Sequence, residues 1–96
     1  MKIILKGRRQ GITTFLVDWV KEDSDSRAII VHNRQTAINI RKHFNLSKID
    51  VLPYTDIEKL NGTNKKYLSF DEYQLFYNIK DKDIPENTVY VSITLE

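Results

Sequence analysis

Apolar and polar positions follow two rhythms along this chain. Lys2–Lys6 is a short apolar run that predicts a buried strand. Gly7 to Gly11 is a polar turn with glycine at each end. From Thr13 to Lys21 the rhythm becomes helical: Ile12, Phe15, Leu16, Trp19 and Val20 fall at i, i+3, i+4, i+7 and i+8, on one face. After the polar loop Glu22–Ser26, Ala28–His32 predicts a second strand. Asn33 is placed to cap a helix over Arg34–Phe44 that buries Ala37, Ile38, Ile40 and Phe44. Ile49–Tyr54 is a third strand, at a sheet end or edge because of Pro53. Asp56–Leu60 predicts a helical turn, broken by Asn61-Gly62-Thr63-Asn64. Lys66–Phe70 is a fourth strand. Glu72–Lys80 predicts a helix with Leu75, Phe76 and Ile79 on one face. Past the turn Pro85-Glu86-Asn87, alternation of Val89, Val91, Ile93 and Leu95 with polar residues marks a fifth strand.

Strands alternating with helices predict a three-layer α/β fold with a mainly parallel sheet of about five strands. Ligands of such sheets bind at the carboxyl ends of the strands. Here those ends are Lys6-Gly7, His32-Asn33, Tyr54-Thr55, Asp71-Glu72 and Thr94.

With 96 residues, the chain is expected to form one domain, residues 1–96. No apolar run approaches the ~20 residues of a membrane span, and Lys6 interrupts the apolar start at once, so no membrane or secretion signal is read. Cysteine is absent, which excludes disulfides and thiolate chemistry. A cytoplasmic location is expected, in the host if the chain is phage-encoded. Leu95-Glu96 are open to being a cloning remnant or the edge of a longer protein.

A net charge of +2 is too small to argue for nucleic acid by itself, but its distribution is uneven. Residues 1–48 hold ten Lys/Arg against four Asp/Glu, and residues 49–96 hold five against nine. The halves are placed to pair with each other, or to build a phosphate side and a metal side of one site. Scattered solvated charge is the plain alternative.

Three segments carry candidate chemistry. In Lys6-Gly7-Arg8-Arg9-Gln10-Gly11-Ile12-Thr13-Thr14, glycines permit backbone N–H groups to wrap an anion at a helix N-terminus, and a Thr hydroxyl can hold the accompanying magnesium. Tyr67-Leu68-Ser69-Phe70-Asp71-Glu72 is an apolar strand ending in two acids, suited to holding a metal and polarising water. Val91-Ser92-Ile93-Thr94 places two hydroxyls on the next strand. The plain alternatives are a βα turn with a solvated Arg pair, acids starting a helix, and ordinary strand hydroxyls.

The first segment resembles the Walker A loop of P-loop NTPases: Gly11 and Thr13 match its last glycine and its Ser/Thr. It departs where Lys6 replaces the first glycine and Ile12 replaces the lysine. Some viral DNA-packaging ATPases are similar here, with a lysine at the front of the loop, and Lys6 matches that position. Asp71-Glu72-Tyr73-Gln74 resembles the Walker B-type D-E-x-[HQ] signature of superfamily-two helicases and terminases. Ser92-Ile93-Thr94 resembles their S-A-T coupling motif, and Val51–Thr55 their strand-then-Thr element that touches nucleic acid.

The resemblance implies a degenerate helicase/terminase-like P-loop domain. It implies ATP with magnesium as cofactors, residues Lys6 to Thr14 around the nucleotide, Thr13 and Asp71 at the metal, and Glu72 as the catalytic residue that polarises the attacking water. With Ile12 in the lysine position, the expectation is weak nucleotide binding and poor or no hydrolysis, with Lys6 facing the phosphate. Thr13 and Asp71 oxygens are then expected on the order of 4–8 Å apart. The alternative is a non-enzymatic binding module that engages a protein or nucleic-acid partner. Arg8, Arg9, Arg34, Arg41 and Lys42 motivate weak, salt-sensitive nucleic-acid binding. Trp19 reads as core. His32 and His43 lack metal-ligand spacing. Tyr73 and Tyr77 are spaced for either packing or an aromatic patch.

Overall fold

The computed structural model describes residues 2–76 and 79–94, without the side chains of Arg9, Gln10 and Asp81. The expectations resting on Tyr77, Leu95 and those side chains therefore lie outside the described residues. Strands β1 (Ile3–Gly7), β2 (Arg27–Val31), β3 (Val51–Pro53), β4 (Tyr67–Phe70) and β5 (Thr88–Thr94) form one sheet in the order β1-β5-β4-β2-β3. Every pairing is parallel. Helix α1 (Arg9–Glu22) joins β1 to β2, and α2 (Arg34–Phe44) joins β2 to β3. Short 3-10 helices cover Tyr54–Leu60, Tyr73–Leu75 and Asp81–Asp83.

The path of the chain explains the layers. From β1 to β2 to β3 the chain steps across the sheet one way, and from β3 to β4 to β5 it steps back. Right-handed crossovers put outward and returning connections on opposite faces. The core divides accordingly. Leu16, Val17 and Val20 of α1 and Ala37 and Ile40 of α2 pack with Ile29, Val31 and Val51. Ala28, Ile30, Leu52 and Phe70 face the other way, under Tyr54, Ile57, Phe76, Ile79 and Ile84. Residues 28–31 thus alternate between two clusters, as the period of a strand requires. The third layer is made of 3-10 turns and loop, with no α-helix among its described residues.

Most elements lie where the apolar pattern put them. Helix α2 has the expected bounds, and the Asn33 side chain accepts the Thr36 N–H at 2.8 Å. It closes on Asn45 in the left-handed region (φ 58°). Trp19 is buried, edge-on to Tyr90 and under the Arg27 guanidinium.

Two expectations are corrected. Helix α1 begins at Arg9 rather than Thr13, because Arg8 is extended and its carbonyl already accepts the Ile12 N–H at 3.2 Å. Gly11 therefore lies within the helix. No α-helix occupies the described part of 72–80. Glu72 has φ 55° and ψ 54°, which turns the chain away from a helical path, and only the turn Tyr73–Leu75 follows. Phe76 and Ile79 still pack where their apolar character demands.

Candidate functional site

The carboxyl ends of β1, β5 and β4 bring the second and third chemical segments together with α1. Asp71 follows β4 directly and is 3% exposed. Its Oδ2 accepts the Thr13 hydroxyl from α1 at 2.9 Å, and its Oδ1 accepts the Ser92 hydroxyl from β5 at 2.8 Å. The Ser92 oxygen in turn accepts the Glu72 N–H at 2.8 Å. The Thr94 hydroxyl donates to Glu72 Oε1 at 3.2 Å, and Gln74 Nε2 donates to Thr94 Oγ1 at 2.9 Å. Gln74 Oε1 also accepts the Thr94 N–H at 3.3 Å. The two acids, Gln74 and the hydroxyls of Ser92 and Thr94 thus form one continuous network with Thr13.

Sheet order makes this possible. β5 lies between β1 and β4 and pairs with both, with a register shift against β4 between Leu68 and Ser69, so Ser92 stands between the end of β4 and the strand that feeds α1. Thr13 and Asp71 are closer than the expected metal-bridged separation: they touch directly. The acids do not start a helix either. Burial pushes the Asp71 carboxyl above its ordinary value of 3.8 and the nearby Glu72 charge adds to this, against the hydrogen bonds from Ser92 and Thr13. Glu72 is 6% exposed, and its left-handed backbone is a conformation that costs a non-glycine residue roughly 1 kcal/mol or more.

The first segment is organised differently from a wrapped loop. Only Arg8 separates β1 from α1, so the unpaired donors available to an anion are the N–H groups of the first helical turn. Ile12 is buried beside Leu16 and lies in van der Waals range of a Cβ placed on Gly7. Phe15, expected beside Ile12, is half-exposed and meets Tyr90 edge-on. Lys6 is exposed. Its neighbour Leu5 packs on the α1 side, so strand alternation directs Lys6 to the opposite face. Thr14, Gly11 and Arg8 are also exposed.

Between α1 and α2 a cleft of about 670 Å3 opens beside this network, within the size range of small-molecule sites. Thr13, Thr14, His32, Asn39, His43 and Glu72 contribute polar groups, with Ile40 and Phe44 as apolar walls. His32 Nδ1 is buried without a hydrogen-bond partner among the described residues. The sequence pattern singled out His32 here but missed Asn39, Thr36 and His43, whose helical spacing marks only a solvated face. Among the described residues no three His, Cys, Asp or Glu side chains cluster as metal ligands.

The described basic residues do not form a single patch. Arg8 precedes α1 near β1, whereas Arg34 and Arg41 line a groove beside β3, at the opposite sheet edge. Arg41 is partly committed, with Nε on the Val51 carbonyl at 2.8 Å and a second nitrogen on the Lys48 carbonyl at 3.3 Å. The ion pairs Arg27–Glu22, Lys59–Asp56 and Lys65–Asp50 each stay within one half of the chain. Among the described residues no helix is long and apolar enough to cross a membrane.

Comparison with known proteins finds no matching family model, no matching curated protein and no matching solved structure.

Proposed function

We propose that this chain is a small, degenerate P-loop-like domain of helicase or terminase type that binds a nucleotide weakly with magnesium, with poor or no hydrolysis. The observation that carries this is the direct Thr13–Asp71 hydrogen bond at the carboxyl edge of an all-parallel sheet. A hydroxyl and a carboxylate brought together in this way can part around one divalent cation, which takes oxygen ligands and keeps several waters. The raised Asp71 carboxyl is a buried charge that such a cation would compensate. The first-turn N–H groups of α1 supply anion donors beside it. Glu72, held by Ser92 and Thr94, is the residue for polarising water. Turnover is expected to be poor because the lysine position is a buried isoleucine and Lys6 leaves the opposite face. Loss of one such transition-state contact commonly costs about 3–4 kcal/mol.

Titration of ATP into the full chain, with and without magnesium, tests this. Binding in roughly the millimolar range that depends on magnesium is expected. Phosphate release should stay at background. A second reading, a non-enzymatic binding module on the same scaffold, is favoured by the start of α1 at Arg9, which leaves no loop to wrap a phosphate. Absence of magnesium-dependent binding would leave that reading standing.

A further inference from the structure

A strongly cationic concavity lies on the β3 side of the sheet, away from Asp71. It is a groove of about 490 Å3 between α2 and β3, lined by four cationic side chains and one carboxylate. The carboxylate, Asp56, is already met by Lys59 at 3.4 Å. Arg34, Lys48 and Lys59 are exposed along its rim. Its walls are aliphatic: Ile49 is 42% exposed, Ile38 is half-buried, and Leu52 and Pro53 close the floor.

We propose that this groove docks a short acidic peptide segment of a protein partner, with aliphatic side chains seated on Ile38 and Ile49 and carboxylates facing Arg34, Lys48 and Lys59. Charge complementarity selects acids: four cations against one carboxylate leave the groove with an excess of positive charge, and a partner that neutralises it is favoured over one that does not. The aliphatic walls select a peptide rather than nucleic acid. Single-stranded nucleic acid gains much of its affinity by stacking bases on aromatic rings, and none lines this groove. Aliphatic peptide side chains bury instead against Ile38 and Ile49, forming the apolar centre and charged rim of an ordinary interface. Strand addition is not the docking mode, because β3 is three residues long and ends in Pro53, which has no N–H to pair. Arg41 shapes the groove rather than offering its full fork, since two of its nitrogens hold the Val51 and Lys48 carbonyls. The inference does not depend on nucleotide binding at the carboxyl edge.

Selection from a random peptide library on the immobilised full chain tests this. Recovered peptides should combine Asp or Glu with Leu, Ile or Val. Their binding should weaken with salt. It should fall about tenfold in Lys48→Glu/Lys59→Glu, a loss equal to about 1.4 kcal/mol. Ile49→Asp should weaken it further, because it removes the apolar seat. All three sites are exposed, and circular dichroism checks that the variants stay folded. No enrichment, or peptides that bind the double variant equally well, overturns the proposal. So does an oligothymidylate that binds more tightly than the peptides and is lost in the same variant, which would make the groove a nucleic-acid site. A dimer in sedimentation that the double variant dissolves overturns it in favour of a second copy of this chain.

Discussion

Asp71 and Asp50 are both buried carboxylates at strand ends, and the protein treats them in opposite ways. Asp50 lies at the amino edge, just before β3. Lys65 reaches it with Nζ at 2.6 Å from Oδ1, with its own side chain 2% exposed. Nζ also donates to the Arg27 carbonyl at 2.8 Å and to the Ser24 carbonyl. The Ser47 N–H donates to Asp50 Oδ2 at 3.1 Å. Burial pushes this carboxyl up, but the bond and charge of Lys65 and the Ser47 amide outweigh it and hold it below 3.8. Asp71, at the carboxyl edge, receives two hydroxyls and no cation among the described side chains, and it moves above 3.8. The amino edge carries a closed ion pair that serves the fold. At the carboxyl edge the Asp71 carboxylate is met by hydroxyls alone among the described side chains, the pattern expected where stability is traded for a site.

The largest effect should come from opening the closed edge. Lys65→Met leaves Asp50 and two carbonyls without their cation, and breaking a buried pair from one side costs about 3–5 kcal/mol. Urea denaturation should show that loss as a lower midpoint. A loss below about 1 kcal/mol would mean that Lys65 is no more than a surface pair.

Ser92→Ala should come next. It strips Asp71 of one hydrogen bond and orphans the buried Glu72 N–H, for a cost of about 1–3 kcal/mol. The Asp71 carboxyl should then move further up, visible as a side-chain carbon shift in an NMR titration. An unchanged titration would mean that the hydroxyl does not support the charge.

Asp71→Asn should move stability the other way. A carboxyl raised on folding makes the folded state bind more protons than the unfolded one above pH 3.8. Stability therefore falls as pH rises from 3.8 through the folded value, and the deficit is complete above it. Asp50 has the reverse sign: its contribution is full above pH 3.8 and is lost as pH falls through its lowered value. Asn at position 71 can still pair with both hydroxyls, since each can also accept. It should gain on the order of 1 kcal/mol at neutral pH, the scale of one uncompensated buried polar group. Magnesium should stabilise the wild type and not this variant. Asp71→Asn less stable than wild type at pH 7 would mean that the charge is already compensated.

The asymmetry between the edges was half legible in the sequence. The acids, Ser92 and Thr94 sit on strands whose apolar spacing places them, so their meeting at one edge followed from a parallel order. The Lys65–Asp50 pair gave no signal, because Lys65 lies in an irregular segment where a charged residue reads as solvated. Glu72–Lys80 misled for a related reason. Leu75, Phe76 and Ile79 have helical spacing, but the bond from the Glu72 N–H to Ser92 and that from the Thr94 hydroxyl to the Glu72 carboxylate accompany a left-handed backbone there, and tertiary contacts override spacing. The start of α1 was hidden by Gly11, which reads as a loop residue wherever it stands.

Gly11 offers the smallest effect and the sharpest test of how the carboxyl edge works. If the segment wraps a phosphate, its glycine is needed for backbone freedom, and alanine should harm binding. In the structure Gly11 lies inside α1, without a positive φ, and a Cβ there meets nothing within 4 Å. Helix propensity then decides the outcome, and alanine is favoured over glycine by about 0.5–1 kcal/mol. Gly11→Ala should raise the thermal midpoint by a few degrees, at about 4–8 °C per kcal/mol for a domain of this size. Magnesium-dependent nucleotide binding should be unchanged, because the donors of the first turn keep their positions. A stabilised variant that has lost nucleotide binding would mean that the first turn of α1 unwinds around the phosphate, and that the helical start at Arg9 belongs to the free protein alone.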